Sequence, residues 1–226
     1  MFCLVAGGDT VFCGNQTKST FMKKIVLTGF KPFAPYKFNP TEQLAEFYND
    51  KIIGNIHIVG IVLPCTYFGA FQKLKEIIRK EKPYAIISTG LASLVQGIRI
   101  ETVFRNLMNG KYPDAEGLDP RNKKICIDPD TLEFISSTAN NIHLANLLSA
   151  SRIPVEVSAN ADSFICNSLG YLTSKKIMDG RTSAKNMFIH IPWTDDYKDK
   201  IAWEKEKIFL NKDLLYKAIE LLVQHI

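Results

Sequence analysis

The sequence predicts an α/β fold, a sandwich on a mostly parallel, mixed central sheet. Two observations predict it. Short apolar runs of strand length alternate along the chain with longer amphipathic segments at helical spacing. No internal repeat, low-complexity tract or linker interrupts that alternation.

Taken in order, Ile25–Phe30 is an apolar run closed by Gly29-Phe30, which suits a buried strand. Asn39-Pro40-Thr41-Glu42 opens a helix, with Asn39 as cap, Pro40 at the first helical position and Glu42 completing a capping-box-like pattern. Ile56–Leu63 is a second strand, stopped by Pro64. Tyr67–Lys82 is the clearest helix, its face made by Tyr67, Ala70, Phe71, Leu74, Ile77 and Ile78. Tyr84–Thr89 is a strand ending at Gly90, and Ile98–Asn106 reads as a strand carrying Glu101 inside it. Residues Lys111–Asp130 hold enough Pro, Asp, Gly and Asn to form a long loop or flap. Asn141–Ala150 reads as a helix, Val155–Ala159 as a strand, Phe164–Met178 as a helix and Met187–Ile191 as a strand. Lys212–His225 closes the chain as a helix.

At about 100–200 residues per domain, the chain's 226 residues predict one, spanning residues 22–226. Residues 1–21 read as a leader or artefactual extension. They lack a basic n-region and a proper apolar core, while Met22-Lys23-Lys24 before Ile25 resembles a natural start. Charged residues make up 23% and the net charge is +5, without a basic stripe interleaved with aromatics, so nucleic acid is not an expected partner. Lys73, Lys75, Arg79, Lys80 and Lys82 occupy the polar side of a predicted helix and read as its solvated face. The five cysteines, Cys3, Cys13, Cys65, Cys126 and Cys166, are odd in number and irregularly spaced, which argues for a reducing, cytoplasmic setting. No Cys/His cluster suggests a metal, and GxGxxG and GxxxxGK[ST] are absent, so no cofactor is expected. No apolar run approaches the ~18 residues of a membrane span.

Three residues stand out chemically. Cys166 follows the Val155–Ala159 strand and falls in the first turn of the next helix, with Asp162 or Ser163 as the expected cap. Unpaired N–H groups and the positive dipole end there favour a thiolate and a developing oxyanion. His190, in Phe188-Ile189-His190-Ile191-Pro192, lies at the end of an apolar strand, where functional side chains of open α/β sheets gather. Glu101 interrupts an apolar strand. A nucleophile, its base and a group orienting that base form a coherent set. Each also has a plainer account: a buried cysteine, a satisfied core histidine, a solvent-facing glutamate. Spacing alone does not bring them together.

The chain resembles the pyroglutamyl peptidase I, or pyrrolidone-carboxylate peptidase, family over about residues 23–226. The similar segments run in order: Leu27-Thr28-Gly29-Phe30-Lys31-Pro32-Phe33 with Asn39-Pro40-Thr41, Leu63-Pro64, Gly90-Leu91-Ala92, Ile100-Glu101, Asn106, Pro113-Asp114 and Glu116-Gly117. Phe164-Ile165-Cys166-Asn167 and Phe188-Ile189-His190-Ile191-Pro192 complete the set. The resemblance implies a three-layer α/β/α sandwich of phosphorylase/hydrolase-like type, no cofactor or metal, and a cytoplasmic homodimer or homotetramer. It implies Cys166 as nucleophile, His190 as general base and Glu101 as third member of the triad. It also implies a pocket of Phe30, Phe33 and Asn39 for a flat, neutral lactam, so that the partners are peptides with N-terminal pyroglutamate.

Five places depart from the family pattern. Ala34 replaces a glycine, Leu94-Val95 a glycine-arginine pair, Thr102 an arginine, Lys111 an arginine and Asp162 a glycine. If the glycine at 162 served a positive φ, Asp fits it less easily. A carboxylate there would also oppose a thiolate at Cys166. Two alternatives therefore stand beside the peptidase: a degenerate homologue that binds pyroglutamyl peptides without turnover, and a nucleoside phosphorylase or hydrolase on a similar fold.

Overall fold

The first apolar run becomes β1 (Lys23–Phe30), every residue from Ile25 to Phe30 buried. The computed structural model describes residues 22–33, 35–201 and 208–226, so the leader, Cys3, Cys13 and Ala34 lie outside the described residues. From β1 the chain continues through α1 (Pro40–Tyr48), β2 (Ile52–Ile53), β3 (Ile56–Leu63), α2 (Gly69–Glu81) and β4 (Ala85–Leu91). Then come β5 (Ile98–Glu101), β6 (Val103–Arg105), β7 (Phe134–Ser136), α3 (Asn141–Ala150) and β8 (Val155–Ser158). The chain ends with α4 (Ile165–Met178), β9 (Lys185–Ile191), β10 (Trp193–Thr194), β11 (Phe209–Leu210) and α5 (Lys212–His225).

Seven strands form one sheet in the order β2-β3-β1-β4-β9-β5-β8. β1 runs parallel to β3 and β4, β4 parallel to β9, and β5 parallel to β8; β2 against β3 and β5 against β9 are antiparallel. The sheet is therefore mixed and mostly parallel, as the alternation of elements predicts. Strand alternation divides its side chains into two cores. Ile25, Leu27, Ile87, Met187 and Ile189 pack with Leu44 and Tyr48 of α1, Leu144 and Leu148 of α3, and Leu215 and Ile219 of α5. On the opposite face Val26, Ile86 and Phe188 pack with Ala70, Leu74 and Ile78 of α2 and Ile165 and Leu169 of α4. Burying each such aliphatic side chain contributes about 1.5–3 kcal/mol. Three layers result: three helices, a sheet, and two helices.

Helix α1 begins as the sequence dictates. Asn39 is extended and its Oδ1 accepts from Thr41 N, while Pro40 occupies the first helical position. The second predicted helix starts at Gly69, not Tyr67; Tyr67 is buried just ahead of it. The segment Ile98–Asn106 is not one strand. It breaks at Thr102, whose N–H and Oγ1 both donate to Ser158 O, and the chain then leaves the sheet as β6 to pair with β7. The short pairings of β2, β7, β10 and β11 escape sequence reading because two or three residues show no period. Residues 111–130 form an irregular flap, braced by Asp114, whose carboxylate accepts from the N–H groups of Tyr67, Glu116 and Leu118. Among the described residues no helix is long and apolar enough to cross a membrane.

Gly60 lets β3 approach α1 closely. A Cβ at Gly60 would lie 2.0 Å from Ala45 O and 2.9 Å from the Asn49 Cα. Both are backbone atoms, so the helix itself would have to shift. Gly60→Ala is expected to lower the unfolding free energy by about 1–3 kcal/mol in urea titration. An unchanged midpoint would mean that α1 is not pressed against the sheet there.

Candidate active site

The site lies at the carboxyl ends of β4 and β9. Antiparallel pairing sets Glu101 of β5 opposite Phe188 of β9, and Arg99 opposite His190. Phe188 and His190, two residues apart, project to one face, so Glu101 and His190 are diagonal neighbours across the two strands. His190 Nδ1 stands 2.8 Å from Glu101 Oε1. Glu101 is 0% exposed and His190 7%. Glu101 Oε2 has no hydrogen-bond partner among the described residues, so His190 is the contact that compensates this buried carboxylate. The plainer account of Glu101 as a solvent-facing strand residue is excluded.

On its other side His190 faces β4, where Gly90 is its register partner. A Cβ built on Gly90 would lie 2.8 Å from Cys166 Sγ, 3.1 Å from His190 Cδ2 and 3.2 Å from His190 Nε2. The thiol and the free edge of the imidazole therefore flank one small space, which exists because residue 90 has no side chain. Gly90 is the main residue missed as part of the site. Its signal was present, a lone glycine closing an apolar strand.

Cys166 is the second residue of α4, so the unpaired N–H groups of the first turn surround it. The expected cap is corrected. Phe164 is the N-cap and makes no side-chain cap bond, while Ser163 Oγ donates to Asn109 O and ties the chain just ahead of the flap to the helix. Asp162 adopts φ +65°, a left-handed conformation that suits glycine and that Asp tolerates better than most residues. Asn167, fully buried, accepts from Arg105 N through Oδ1 and donates through Nδ2 to Arg105 O and Leu107 O. This pins β6 and Leu107 just beyond it to α4.

The electrostatic surroundings of Cys166 are mixed. Burial, the largest influence, pushes the Cys166 thiol well above the ordinary thiol range. Cys65, Glu101 and Asp162 push the same way, and the backbone N–H of Cys166 opposes them.

Phe30, Phe33, Asn39 and Cys166 line one cavity of ≈40 Å³, together with Cys65, Leu91, Phe164 and Ile165. Phe164 stands between Phe33, at 6.3 Å between centroids, and Tyr67, at 5.5 Å in an edge-on contact. The walls are aromatic and aliphatic. Asn39 is more than a helix cap: its Oδ1 accepts from Thr41 N and Oγ1, its Nδ2 donates to Lys31 O, and it still reaches the cavity. A larger cavity of ≈630 Å³ between α2 and α4 contains none of the candidate residues. Lys75, Arg79, Lys82, Lys176 and Arg181 line it, consistent with a solvated basic face. No metal-binding group of His, Cys, Asp and Glu occurs among the described residues.

A carboxylate, an imidazole and a thiol converging at the end of a mostly parallel sheet can act as orienter, base and nucleophile, the equipment of a cysteine hydrolase. The chain belongs to the pyroglutamyl peptidase family, whose model matches residues 23–207. It is 33% identical over 175 residues to a pyrrolidone-carboxylate peptidase of Thermococcus litoralis, covering 77% of this chain and 79% of that one. It is 33% identical over 203 residues to a pyrrolidone-carboxylate peptidase of Oceanobacillus iheyensis, covering 89% and 98%. A mutant pyrrolidone carboxyl peptidase from Pyrococcus furiosus superposes with TM-score 0.83 at 27% identity, over 89% of this chain and 96% of that one. The Thermococcus litoralis structure gives 0.81 at 31% identity, over 90% and 92%. The α/β/α sandwich is thus the fold of these peptidases, and the nucleoside phosphorylase alternative falls away.

A thiol with a raised pKa ionises more as pH rises. The alkylation rate of Cys166 in the free protein, followed by mass spectrometry, is expected to climb steadily from neutral into alkaline pH. A rate already flat between about pH 6 and 8 would instead indicate a preformed thiolate–imidazolium pair.

Proposed function

We propose that this chain is a cysteine-type omega-peptidase that hydrolyses the bond after an N-terminal pyroglutamate and releases 5-oxoproline. The observation that carries this reading is the Glu101–His190 pair at 2.8 Å with Cys166 across the Gly90 space. The flat lactam ring lies between the aromatic walls of the cavity, with Phe30 and Phe33 as its clamp. Asn39 has a second Nδ2 hydrogen beyond the one used on Lys31 O, which serves the ring's polar edge.

The reaction proceeds by acyl transfer. As Sγ of Cys166 attacks the carbonyl carbon joining pyroglutamate to the next residue, its proton passes to His190 Nε2. The first-turn N–H groups of α4 hold the oxyanion, each contributing about 3 kcal/mol. The imidazolium gives its proton to the leaving amine, and the shortened peptide departs. His190 then takes a proton from water, which attacks the thioester and frees 5-oxoproline. Glu101 accepts from Nδ1–H throughout, keeping Nε2 as the working nitrogen. The reading carries with it a homodimer or homotetramer in the cytoplasm, consistent with Cys65, Cys126 and Cys166 all being free thiols.

The test is release of fluorophore from a fluorogenic pyroglutamyl amide by reduced protein. Turnover is expected, and loss of it on alkylation and in Cys166→Ala. Glu101→Gln is expected to remain folded and to slow turnover by about 10²–10⁴-fold. Binding without release from folded, reduced protein would favour the degenerate homologue. Unchanged turnover in Cys166→Ala would remove that residue as nucleophile.

A further inference from the structure

Cys65 has no part in this mechanism, yet it lines the same ≈40 Å³ cavity as Cys166. It follows Pro64 at the end of β3, is 5% exposed and is a free thiol. Its carbonyl accepts from Ala115 N of the flap. Cys126, the third free thiol among the described residues, lines a different cavity with Phe71, Asp128 and Leu172. The Cys65–Cys166 pairing is therefore specific to the active-site pocket.

A cavity of this size holds a few water-sized molecules, at ~10–15 Å³ of the same space for each. A small hydroperoxide is little larger than water and fits. Burial raises both thiols, but Cys166 shares the Gly90 space with His190 Nε2, which can take its proton, so Cys166 is the thiol that meets an oxidant first.

We propose that Cys65 is a resolving thiol for Cys166: oxidation by a hydroperoxide converts the active-site pair to an internal disulfide that a low-molecular-weight thiol reverses. This rests on the reading of Cys166 as the reactive nucleophile. In the first step Cys166 sulfur attacks the terminal oxygen of ROOH. The O–O bond breaks, the sulfur loses two electrons to become S–OH, and the thiol proton leaves with RO as ROH. In the second step Cys65 sulfur attacks Cys166 sulfur, forming S–S and breaking S–O. Hydroxide departs with the Cys65 proton as water. Two equivalents of external thiol return both cysteines to the reduced state. The disulfide inactivates the enzyme without committing it to the sulfinic acid, which thiols do not reduce.

The experiment treats the full-length wild-type protein with hydrogen peroxide, blocks remaining thiols and maps peptides without reduction. Activity on the pyroglutamyl amide is read before peroxide, after it, and after dithiothreitol. The expected result is a peptide joining Cys65 to Cys166, loss of activity, and its recovery with the thiol. Cys65→Ala, compared with its own untreated rate, is expected to lose activity that dithiothreitol restores less than half as well as in the wild type, with Cys166 found as sulfinic acid. Cys126→Ala is expected to form the linked peptide as the wild type does. Inactivation of the wild type with Cys166 as sulfinic acid and Cys65 still a thiol would overturn the proposal. A linkage through Cys126 would overturn it too. Absence of activity before peroxide would instead count against the peptidase reading, since the linked peptide is detected independently of turnover.

Discussion

The organisation of this molecule turns on one buried contact, the 2.8 Å approach of Glu101 Oε1 to His190 Nδ1. A carboxylate with no solvent exposure is costly unless it is paired, and here the pairing is delivered by sheet register. β5 and β9 are antiparallel, so the two residues sit diagonally on one face. A slip of one residue would turn Glu101 to the other face, where the cluster of Leu44, Leu144 and Leu215 has no partner for it. The antiparallel pairing of β5 with β9 in a mostly parallel sheet is thus the feature on which the site depends. The break after Glu101, secured by the double donation of Thr102 to Ser158 O, then sends the chain away to form β6 and the flap.

The rest of the site is fitted around that pair. Gly90 is the register partner of His190 and leaves the space that Cys166 Sγ enters from α4. Asn167 clamps α4 to Arg105 and Leu107, so the element carrying Cys166 is fixed to the chain leaving β5. Two of the departures from the family pattern are accommodated by the backbone. Asp162 adopts the left-handed conformation at φ +65°. Val95 is buried while Leu94 projects into solvent. Asp162 does raise the Cys166 thiol, but less than burial, Cys65 or Glu101 does.

Much of this was legible in the sequence because it depends on local pattern. Asn39-Pro40 marks the start of α1, and the boundaries of α3 and α5 fall where capping and periodicity place them. Cys166, His190 and Glu101 were each visible as a polar residue out of place in an apolar setting. Their convergence was not, because sheet order β4-β9-β5 is a long-range property that no spacing encodes. The family resemblance supplied that convergence. Gly90 and Cys65 were visible but had no assigned purpose until register and cavity walls placed them beside Cys166. The helix dipole at Cys166 can be read from sequence, whereas the desolvation that raises its thiol comes from tertiary packing. The Ser163 cap failed, its hydroxyl having been drawn to Asn109 O across 54 positions of sequence.

The central claim is that Glu101 fixes His190 as the tautomer with hydrogen on Nδ1 and a free Nε2 facing Cys166. Nitrogen and proton NMR of the ¹⁵N-histidine-labelled protein measures it directly. The account predicts a protonated Nδ1 and an unprotonated Nε2 for His190 in the resting enzyme at mildly alkaline pH, with that preference lost in Glu101→Gln. A resting His190 carrying its proton on Nε2, or a tautomer indifferent to Glu101→Gln, would contradict it.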